Sequence, residues 1–520
     1  MEDIFLIVLV VFVIVGALAA NVRLLIYYQM PEDSDFSSSI LVKTIIVMSM
    51  TLAWMIVLLL PVDVRNSRPV PGFLDMEMIW SASFITLAVF LIIIVPGAIF
   101  YHEVEGDDTV KRKRGYVCCN LCMLIFFSAA VVAISFPFLA TAALPVVEYD
   151  CQAWQDAAAV PDVSQTCASG KNAEVSFKVS FDVYLMAALS FVGWFFFAMF
   201  GGIGLSAAPL EMILAFVDRP RAIDEVTYRQ RRKIVGQAAA ILLQRAEDLQ
   251  QRDGDIQDAK SNAKQSRWRG SGTGGARKVK TEYNRFKRDS HLLEEEYDRL
   301  VISKFGKGES IVVSVAKLLI GILFTILSLA WVFHIILYVL ISQLSGGTTS
   351  ILFLNELFAA FESTGVYPLG VAFFALFNLY LLYCVVKGCL KFGMRIVFFF
   401  SIHPMRARNT PLNSILFNVE MVLLSSAAVV QLSQTCFADY ARLTQSDVIF
   451  STQIKHLSFY RYFFENNVFV IIILSLFLLG TIYLLVRPRE GGSMKFDKKA
   501  DKQLAQIVGA AATPKPAASV

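Results

Sequence analysis

The strongest constraint on this chain is a series of nine apolar stretches, each long enough to cross a membrane as a helix. A helix needs about 20 mostly apolar residues to span the hydrocarbon core of a bilayer. Backbone groups in lipid must be hydrogen-bonded internally, so such runs predict helices, whereas a β-barrel would show alternating segments of about ten residues. The nine stretches run approximately over residues 3–27, 39–62, 78–101, 116–144, 181–208, 311–342, 367–390, 412–435 and 467–486.

The overall composition supports a membrane protein. Of the 520 residues, 56% are hydrophobic and 17% are charged, whereas soluble domains are about 45–50% apolar and about 25% charged. This balance excludes an ordinary cytosolic protein, and it also excludes intrinsic disorder over the whole chain. We therefore predict an all-α fold, a polytopic membrane bundle of about nine transmembrane helices.

The positions of lysine and arginine predict the orientation of the bundle. With the N-terminus outside or luminal, the inner flanks and loops hold 38 of the 47 Lys and Arg residues, and the outer loops hold seven. Cytosolic loops carry such an excess of basic residues, so the C-terminus is predicted to be cytosolic. The first stretch is predicted to stay as a span, because Glu2 and Asp3 stand where a signal peptide needs basic residues.

The spans divide the chain into four predicted regions. The largest segment outside the membrane holds 21 Lys and Arg against 15 Asp and Glu, and its apolar residues recur at helical spacing on both sides of a Gly-rich tip at 270–275. We interpret this segment as a coiled helical hairpin whose positive charge faces anionic lipid rather than nucleic acid. The regions are 1–216 with spans one to five and an outer loop at 145–180, 217–309 with the cytosolic basic hairpin, 310–488 with spans six to nine, and 489–520 as a disordered cytosolic tail.

Cysteine spacing suggests one disulfide and one cluster of thiols. Cys151 and Cys167 lie in the predicted outer loop, where a local disulfide is expected, with Cys436 as a competing partner. A C-C-x-x-C cluster at 118–122 lies at the membrane edge of span four, with no His or second Cys pair beside it. We interpret that cluster as buried thiols or as a site of S-palmitoylation, rather than as a zinc site.

Polar side chains inside the spans are candidate functional residues, because they are costly in lipid and usually face the interior of a bundle. In span eight, Asn413, Glu420 and Gln431 fall near one stripe of the helix. They are candidates for a substrate path or a proton relay, or for interhelical hydrogen bonds, such as one from Glu420 to Lys317 of span six. His334 in span six is likewise either a functional residue of this kind or a buried side chain that makes structural hydrogen bonds.

The sequence shows no catalytic constellation. An H-E-x-x-H pattern and a G-x-S-x-G elbow are both missing from the sequence. We therefore predict a protein that is not an enzyme, with no catalytic residues, no bound metal and no cofactor.

Four short motifs carry a resemblance to a known family. They are Leu58–Val64 with L-P-V-D, the aromatic and acidic run at 100–108, Gly204–Leu210 with G-x-S-A-x-P-L, and Arg408–Leu412 with R-x-x-P. In order and spacing, the chain resembles the limb-region (LMBR-like) membrane proteins over most of residues 1–490. The motifs look most like the lysosomal cobalamin-transport branch of that family, with the lipocalin-receptor branch second.

Five motif residues are interpreted as scaffold positions: Pro61, Asp63, Pro209, Thr410 and Pro411. The prolines at 61 and 209 are expected to end or kink helices near the membrane surface. Asp63 is expected to cap a helix or to pair with Arg65, and Thr410 is expected to cap span eight, whose first turn suits Pro411.

The resemblance implies a role in the passage or trafficking of a small molecule at a lysosomal, endosomal or plasma membrane. In the cobalamin branch this role is export from lysosomes, with cobalamin as cargo and an ABC transporter as a partner. One alternative is an endocytic receptor for an extracellular protein such as a lipocalin. Another is a membrane scaffold that acts through the cytosolic hairpin. The bilayer is a partner in all three hypotheses, nucleic acid in none, and the oligomeric state is left open.

Overall fold

The structure is a computed structural model, and its elements follow the apolar stretches of the sequence. It describes residues 2–30, 39–67, 74–105, 113–148, 171–217, 223–263, 273–305, 310–345, 351–363, 369–391, 395–396, 400–401, 405 and 410–486. The α-helices are α1 Glu2–Tyr28, α2 Ile40–Asn66, α3 Met76–Val89, α4 Val95–Glu105, α5 Lys113–Leu139, α6 Phe181–Val217, α7 Glu225–Ala263, α8 Thr273–Phe305, α9 Ile311–His334, α10 Ile341–Leu344, α11 Phe353–Ser363, α12 Leu369–Lys391, α13 Leu412–Cys436, α14 Arg461–Phe464 and α15 Val468–Val486. Short π-helical segments are Phe90–Ile94, Ile335–Leu340 and Asp447–Ile454, and the strands are β1 Thr141–Glu148, β2 Lys171–Lys178, β3 Arg395–Ile396 and β4 Phe400–Ser401.

The described residues contain nine helical stretches that are long and apolar enough to cross a membrane. These are Val10–Tyr28, Ile40–Asn66, Met76–Val104, Arg114–Leu139, Phe181–Val217, Ile311–Leu344, Leu369–Lys391, Leu412–Cys436 and Val468–Val486. They coincide with the nine predicted spans to within a few residues at most ends. The predicted fold class, an all-α polytopic membrane bundle, is therefore confirmed, while its orientation stays a prediction.

The chain forms two compact units. The bundle unit contains residues 1–209 and 324–485, and the hairpin unit contains residues 210–323 and 486–520. Within the bundle unit, α13 packs against α2, α4 and α12. Most of its apolar stretch is buried, whereas none of the corresponding stretch of α5 is buried. A central helix thus carries the core, and α5 lies at the periphery of the bundle unit.

Helices α6 and α12 cross with their backbones in direct contact. A Cβ atom on Gly204 would collide with the backbone carbonyl of Cys384, and one on Gly388 would collide with that of Phe200. Small residues allow such close approach, which maximises van der Waals contact between membrane helices. Gly204 opens the family motif at 204–210, so the structure gives this motif a packing role.

Two antiparallel strands follow α5, and the sequence analysis did not predict them. The predicted fourth span ran to residue 144, but α5 ends at Leu139 and β1 begins at Thr141. Strand β1 pairs with β2 from Thr141 opposite Lys178 to Glu148 opposite Lys171. The apolar run continues past the end of the helix, so hydropathy alone reads it as one span, while Pro145 and the valines after it suit an edge strand. The predicted disulfide between Cys151 and Cys167 lies outside the described residues, and Cys436 is a buried free thiol.

In the hairpin unit, α7 and α8 pack side by side and antiparallel. Lys304, near the end of α8, donates to the carboxylate of Glu225 at the start of α7. This hydrogen bond lowers the pKa of Glu225. Arg245 and Asp289 form a second pair at 3.4 Å, nearer the tip. The small apolar core between the helices is formed by Ala238, Leu242, Ile241, Phe286 and Leu293.

Candidate functional site

A crevice in the bundle unit brings together aromatic rings, an amide and a cation. The cavity within it has a volume of about 20 Å³, and the crevice is partly open to solvent. Helices α6, α13 and α15 contribute to its walls, together with the segment 437–467 that joins α13 to α15. The residues that line the crevice include Trp194, Gln431, Thr435, Lys455, Phe463, Phe464 and Phe469.

Stacked aromatic rings form one side of the crevice. The indole of Trp194 stacks on the ring of Phe469, with centroids 5.3 Å apart and planes at 21°. Phe463 also lies nearly parallel to Phe469, with centroids 5.8 Å apart. Phe191 packs edge-on against Phe463 at 5.1 Å and so holds the group from behind. Trp194 and Phe469 are each only 3% exposed, so these rings form a closely packed apolar wall.

The Gln431 side chain is oriented by two donors from α6. Its Oε1 atom accepts hydrogen bonds from Ser190 Oγ at 2.5 Å and from Trp194 Nε1 at 2.8 Å. An indole nitrogen can only donate, so the Gln431 atom that faces it must be the oxygen. The Nε2 group of Gln431 then has no hydrogen-bond partner in the described part of the chain and remains available as a donor.

Lys455 supplies the positive charge of the crevice. It lies at the end of the π-helical segment Asp447–Ile454, is half-buried, and makes no ion pair with any residue that the structure describes. Thr435 adds a hydroxyl, which donates to the Gln431 carbonyl at 2.9 Å and can still accept. An ammonium group, a free amide donor and aromatic rings that line one crevice favour a ligand with an acidic group and a flat apolar body.

Asp63 fixes the segment 437–467 to the bundle. Its side chain is only 1% exposed. Its Oδ2 atom accepts from Trp80 Nε1 at 3.0 Å and from the backbone N–H of Ser446 at 2.7 Å, and its Oδ1 accepts from the backbone N–H of Gln445 at 3.3 Å. The predicted scaffold role of Asp63 thus takes a specific form, an acceptor for three donors, of which those of Trp80 and Ser446 are buried.

Further hydrogen bonds hold the same segment at both ends. Asn355 of α11 donates to the Cys436 carbonyl and accepts from the backbone N–H of Tyr440, each at 3.3 Å. Near the other end, Ser458 donates its backbone N–H to the Thr141 carbonyl of β1 at 2.9 Å. Burial raises the pKa of Tyr460 above its ordinary value, so this phenol stays neutral. The segment is therefore a fixed part of the bundle unit.

The structure places one of the three predicted span-eight residues at the crevice. Gln431 lines it, while Asn413 and Glu420 lie 18 and 11 residues earlier on α13, roughly 27 and 16 Å along the helix axis. The Oδ1 atom of Asn413 is buried without a hydrogen-bond partner among the described residues. Glu420 is half-buried. The three residues do not line a common cavity in the described structure, so their predicted role as a path stays untested.

Neither of the other two predicted polar residues lines the crevice. The His334 ring is fully buried, with Nε2 2.8 Å from the Cys436 carbonyl oxygen and with the ring stacked on Phe437 at 4.9 Å. Its Nδ1 atom is buried without a partner among the described residues. Lys317 belongs to the hairpin unit, whereas Glu420 belongs to the bundle unit.

The remaining motif residues differ from expectation in detail. Pro61 and Pro209 lie inside α2 and α6, which continue to Asn66 and Val217, so neither proline ends its helix. The N-cap position of α13 is taken by Pro411, not by Thr410. Thr410 is buried, and its backbone N–H donates to the Tyr28 carbonyl at 3.2 Å. This bond ties the end of α1 to the start of α13.

Comparison with known proteins identifies the family. The model of the LMBR1-like membrane proteins matches residues 2–271 and 276–481. The chain belongs to the LMBR1-like family. A LIMR family protein of Dictyostelium discoideum is 30% identical over 94% of this chain and 99% of its own length. LIMR family proteins of Arabidopsis thaliana and of Oryza sativa subsp. japonica are each 30% identical, over 90% and 92% of this chain and 92% and 96% of their own lengths. No solved structure matches the chain.

The family match confirms the resemblance that the motifs suggested, while the choice between its branches stays a prediction. Sequence reasoning missed most of the crevice, including Trp194 and Lys455, and it also missed Ser190, which orients Gln431. One available signal was the density of aromatic residues between 459 and 469, where six of eleven positions are Phe or Tyr. The described residues contain no group of three or more His, Cys, Asp and Glu side chains that could hold a metal ion.

Proposed function

We propose that this LMBR1-like protein binds a small amphipathic anion in the crevice, as the recognition step in its passage or trafficking at the membrane. The observation that carries the proposal is the Gln431 amide, held by Ser190 and Trp194 so that its donor group is free in the crevice that Lys455 also lines. The role is binding rather than catalysis. Nucleophiles and acid–base pairs are not required for it.

The ligand class follows from the lining of the crevice. The Lys455 ammonium and the Gln431 N–H group together suit a carboxylate, sulfonate or phosphate group. The stacked rings of Trp194, Phe463 and Phe469 suit an aromatic or otherwise flat apolar body. The cavity itself measures only about 20 Å³, far less than the range of about 300–1,000 Å³ that is usual for small-molecule sites, so only the acidic group of the ligand would enter it and the apolar body would lie over its open side.

Cobalamin transport, which the family resemblance implies, fits this proposal only in an indirect form. A corrinoid is much larger than a cavity of about 20 Å³, so the crevice itself would take a smaller anion. The chain would then support a partner ABC transporter, and cobalamin would be the cargo of that partner.

Replacing Lys455 with glutamine is expected to weaken binding of an aromatic carboxylate at least tenfold. The substitution removes the charge opposite the carboxylate, and a hydrogen bond to a charged group is worth about 1.5–3 kcal/mol. Binding of 4-(trifluoromethyl)benzoate to the full-length protein in lipid nanodiscs can be followed by the ¹⁹F NMR linewidth. The uncharged 4-(trifluoromethyl)benzamide should bind the unaltered protein as weakly as the carboxylate binds the Lys455→Gln variant.

Arg442→Gln is the matched control for this experiment. Arg442 is an exposed cation in the same segment but does not line the crevice, so its loss should leave the linewidth unchanged. If the two variants weakened binding equally, attraction to general surface charge would explain the data. If the unaltered protein failed to broaden the carboxylate signal at all, the proposed ligand class would be wrong.

A receptor function is favoured by one specific feature, the rigid attachment of the segment 437–467 to α2, α11 and β1. On the predicted topology this segment faces outward, where a preorganised surface suits a protein ligand.

The location of the protein in the cell distinguishes the transport function from the receptor function. We expect a fusion tag at the predicted cytosolic C-terminus to co-localise with lysosomal or endosomal markers in cells that express the protein natively. A signal confined to the plasma membrane would contradict this expectation and favour the receptor.

A further inference from the structure

Three thiols on the surface of α5 take no part in the crevice. Cys118, Cys119 and Cys122 are free and exposed, whereas Cys384 and Cys389 are free and buried. The Sγ atoms of Cys118 and Cys122 lie 3.9 Å apart, one helical turn from each other. Of the two interpretations that the sequence allowed for this cluster, buried thiols are therefore wrong.

One face of the helix that carries these thiols is exposed along its length, while Phe136 on the other side packs against Phe181 and Tyr184. None of the apolar stretch of α5 is buried within the structure. Next to the thiols, Met123, Phe126 and Phe127 are 66%, 77% and 67% exposed. In a chain with nine membrane-length helices, such a face is in contact with lipid.

The depth of the thiols can be estimated from the start of the helix. Helix α5 begins at Lys113, with Arg114 beside it, and long basic side chains keep their charged ends in the membrane interface. The cysteines follow five to nine residues later, which is about 8–14 Å along the axis. They therefore lie between the headgroups and the upper part of the acyl chains. The four basic residues at 111–114 predict that this end of the helix is cytosolic.

We propose that Cys118, Cys119 and Cys122 form an S-acylation site for a long-chain fatty acyl group donated by acyl-CoA. The cysteine sulfur attacks the thioester carbonyl of acyl-CoA, and a new S–C bond forms as the bond to coenzyme A breaks. The leaving coenzyme A thiolate takes the proton of the cysteine, so nothing is oxidised or reduced. The attached chain extends into lipid along the exposed face that Phe126 and Phe127 continue.

The test is acyl exchange on the full-length protein purified from cells that express it natively. Free thiols are blocked with N-ethylmaleimide, thioesters are cleaved with hydroxylamine, and the thiols released are labelled with a maleimide-polyethylene glycol that shifts the mobility of the protein. We expect a hydroxylamine-dependent shift in the unaltered protein. The shift should be lost when Cys118, Cys119 and Cys122 are all replaced by serine, and it should persist in Cys389→Ser.

Peptide mass spectrometry gives a second measurement that does not depend on the folding of a variant. It should find the fatty acyl mass on the unaltered peptide that contains residues 115–122. The absence of any hydroxylamine-dependent shift from the unaltered protein would overturn the proposal. A shift that survives in the triple serine variant would overturn it as well, because the acylated thiol would then lie elsewhere.

Discussion

Replacing Gly388 with valine is expected to destabilise the bundle unit by about 3 kcal/mol or more. A Cβ atom at this position would collide with the Phe200 backbone carbonyl. Backbone cannot move aside as the end of a flexible side chain can, so α6 and α12 would have to separate. Because Gly204 makes the reciprocal contact with Cys384, the separation would open both halves of the crossing. Thermal unfolding in detergent, followed by size-exclusion chromatography, should show a lower midpoint and a smaller folded fraction.

Gly16→Val provides the matched control. Gly16 also lies in a membrane-length helix, but an added Cβ there would meet no atom within 4 Å. This variant should unfold within a degree or so of the unaltered protein. Equal unfolding midpoints for Gly388→Val and Gly16→Val would show that the close crossing of α6 and α12 does not exist in the folded protein.

The spans were predictable because the thickness of a bilayer imposes a minimum length of apolar sequence. The crossing of α6 and α12 was not, because hydropathy says nothing about which helices become neighbours. Gly204 stood out in the sequence only as part of a family motif. Its packing role became clear once Gly388, 184 positions later, was found on the facing helix.

The crevice was predictable in only one of its parts. Gln431 was a candidate because polar side chains are costly in lipid, and its hydrogen bonds to Ser190 and Trp194 show how that cost is met. Lys455 lies outside the spans, where a basic residue is ordinary, so it gave no signal by itself. Its position in the same crevice as Gln431 depends on the path of the segment 437–467, which is set by contacts with residues far away in sequence.

Replacing Asp63 with alanine is expected to release the segment 437–467 from the bundle. The change leaves three donors without their acceptor: the Trp80 indole and the backbone N–H groups of Gln445 and Ser446. A buried donor left unsatisfied costs about 1–3 kcal/mol, so the total loss is expected to exceed about 3 kcal/mol. Hydrogen–deuterium exchange should become faster at Gln445 and Ser446 and through the rest of the segment. Asp439→Ala is the control, because Asp439 is an exposed residue of the same segment that accepts a bond from Tyr338 at 2.8 Å.

The same substitution also tests whether the crevice depends on this anchor. Asp63 does not line the crevice, but Lys455 and Phe463 belong to the segment that Asp63 holds. Asp63→Ala should therefore weaken binding of 4-(trifluoromethyl)benzoate although the substituted residue touches no ligand. Asp63→Asn should have a smaller effect, because one amide oxygen can still accept from Trp80 and Ser446 while the amide group opposes the Gln445 N–H. Unchanged exchange in the segment after Asp63→Ala would mean that the bonds at Asn355 and Ser458 hold it alone, and Asp63 would lose its assigned role.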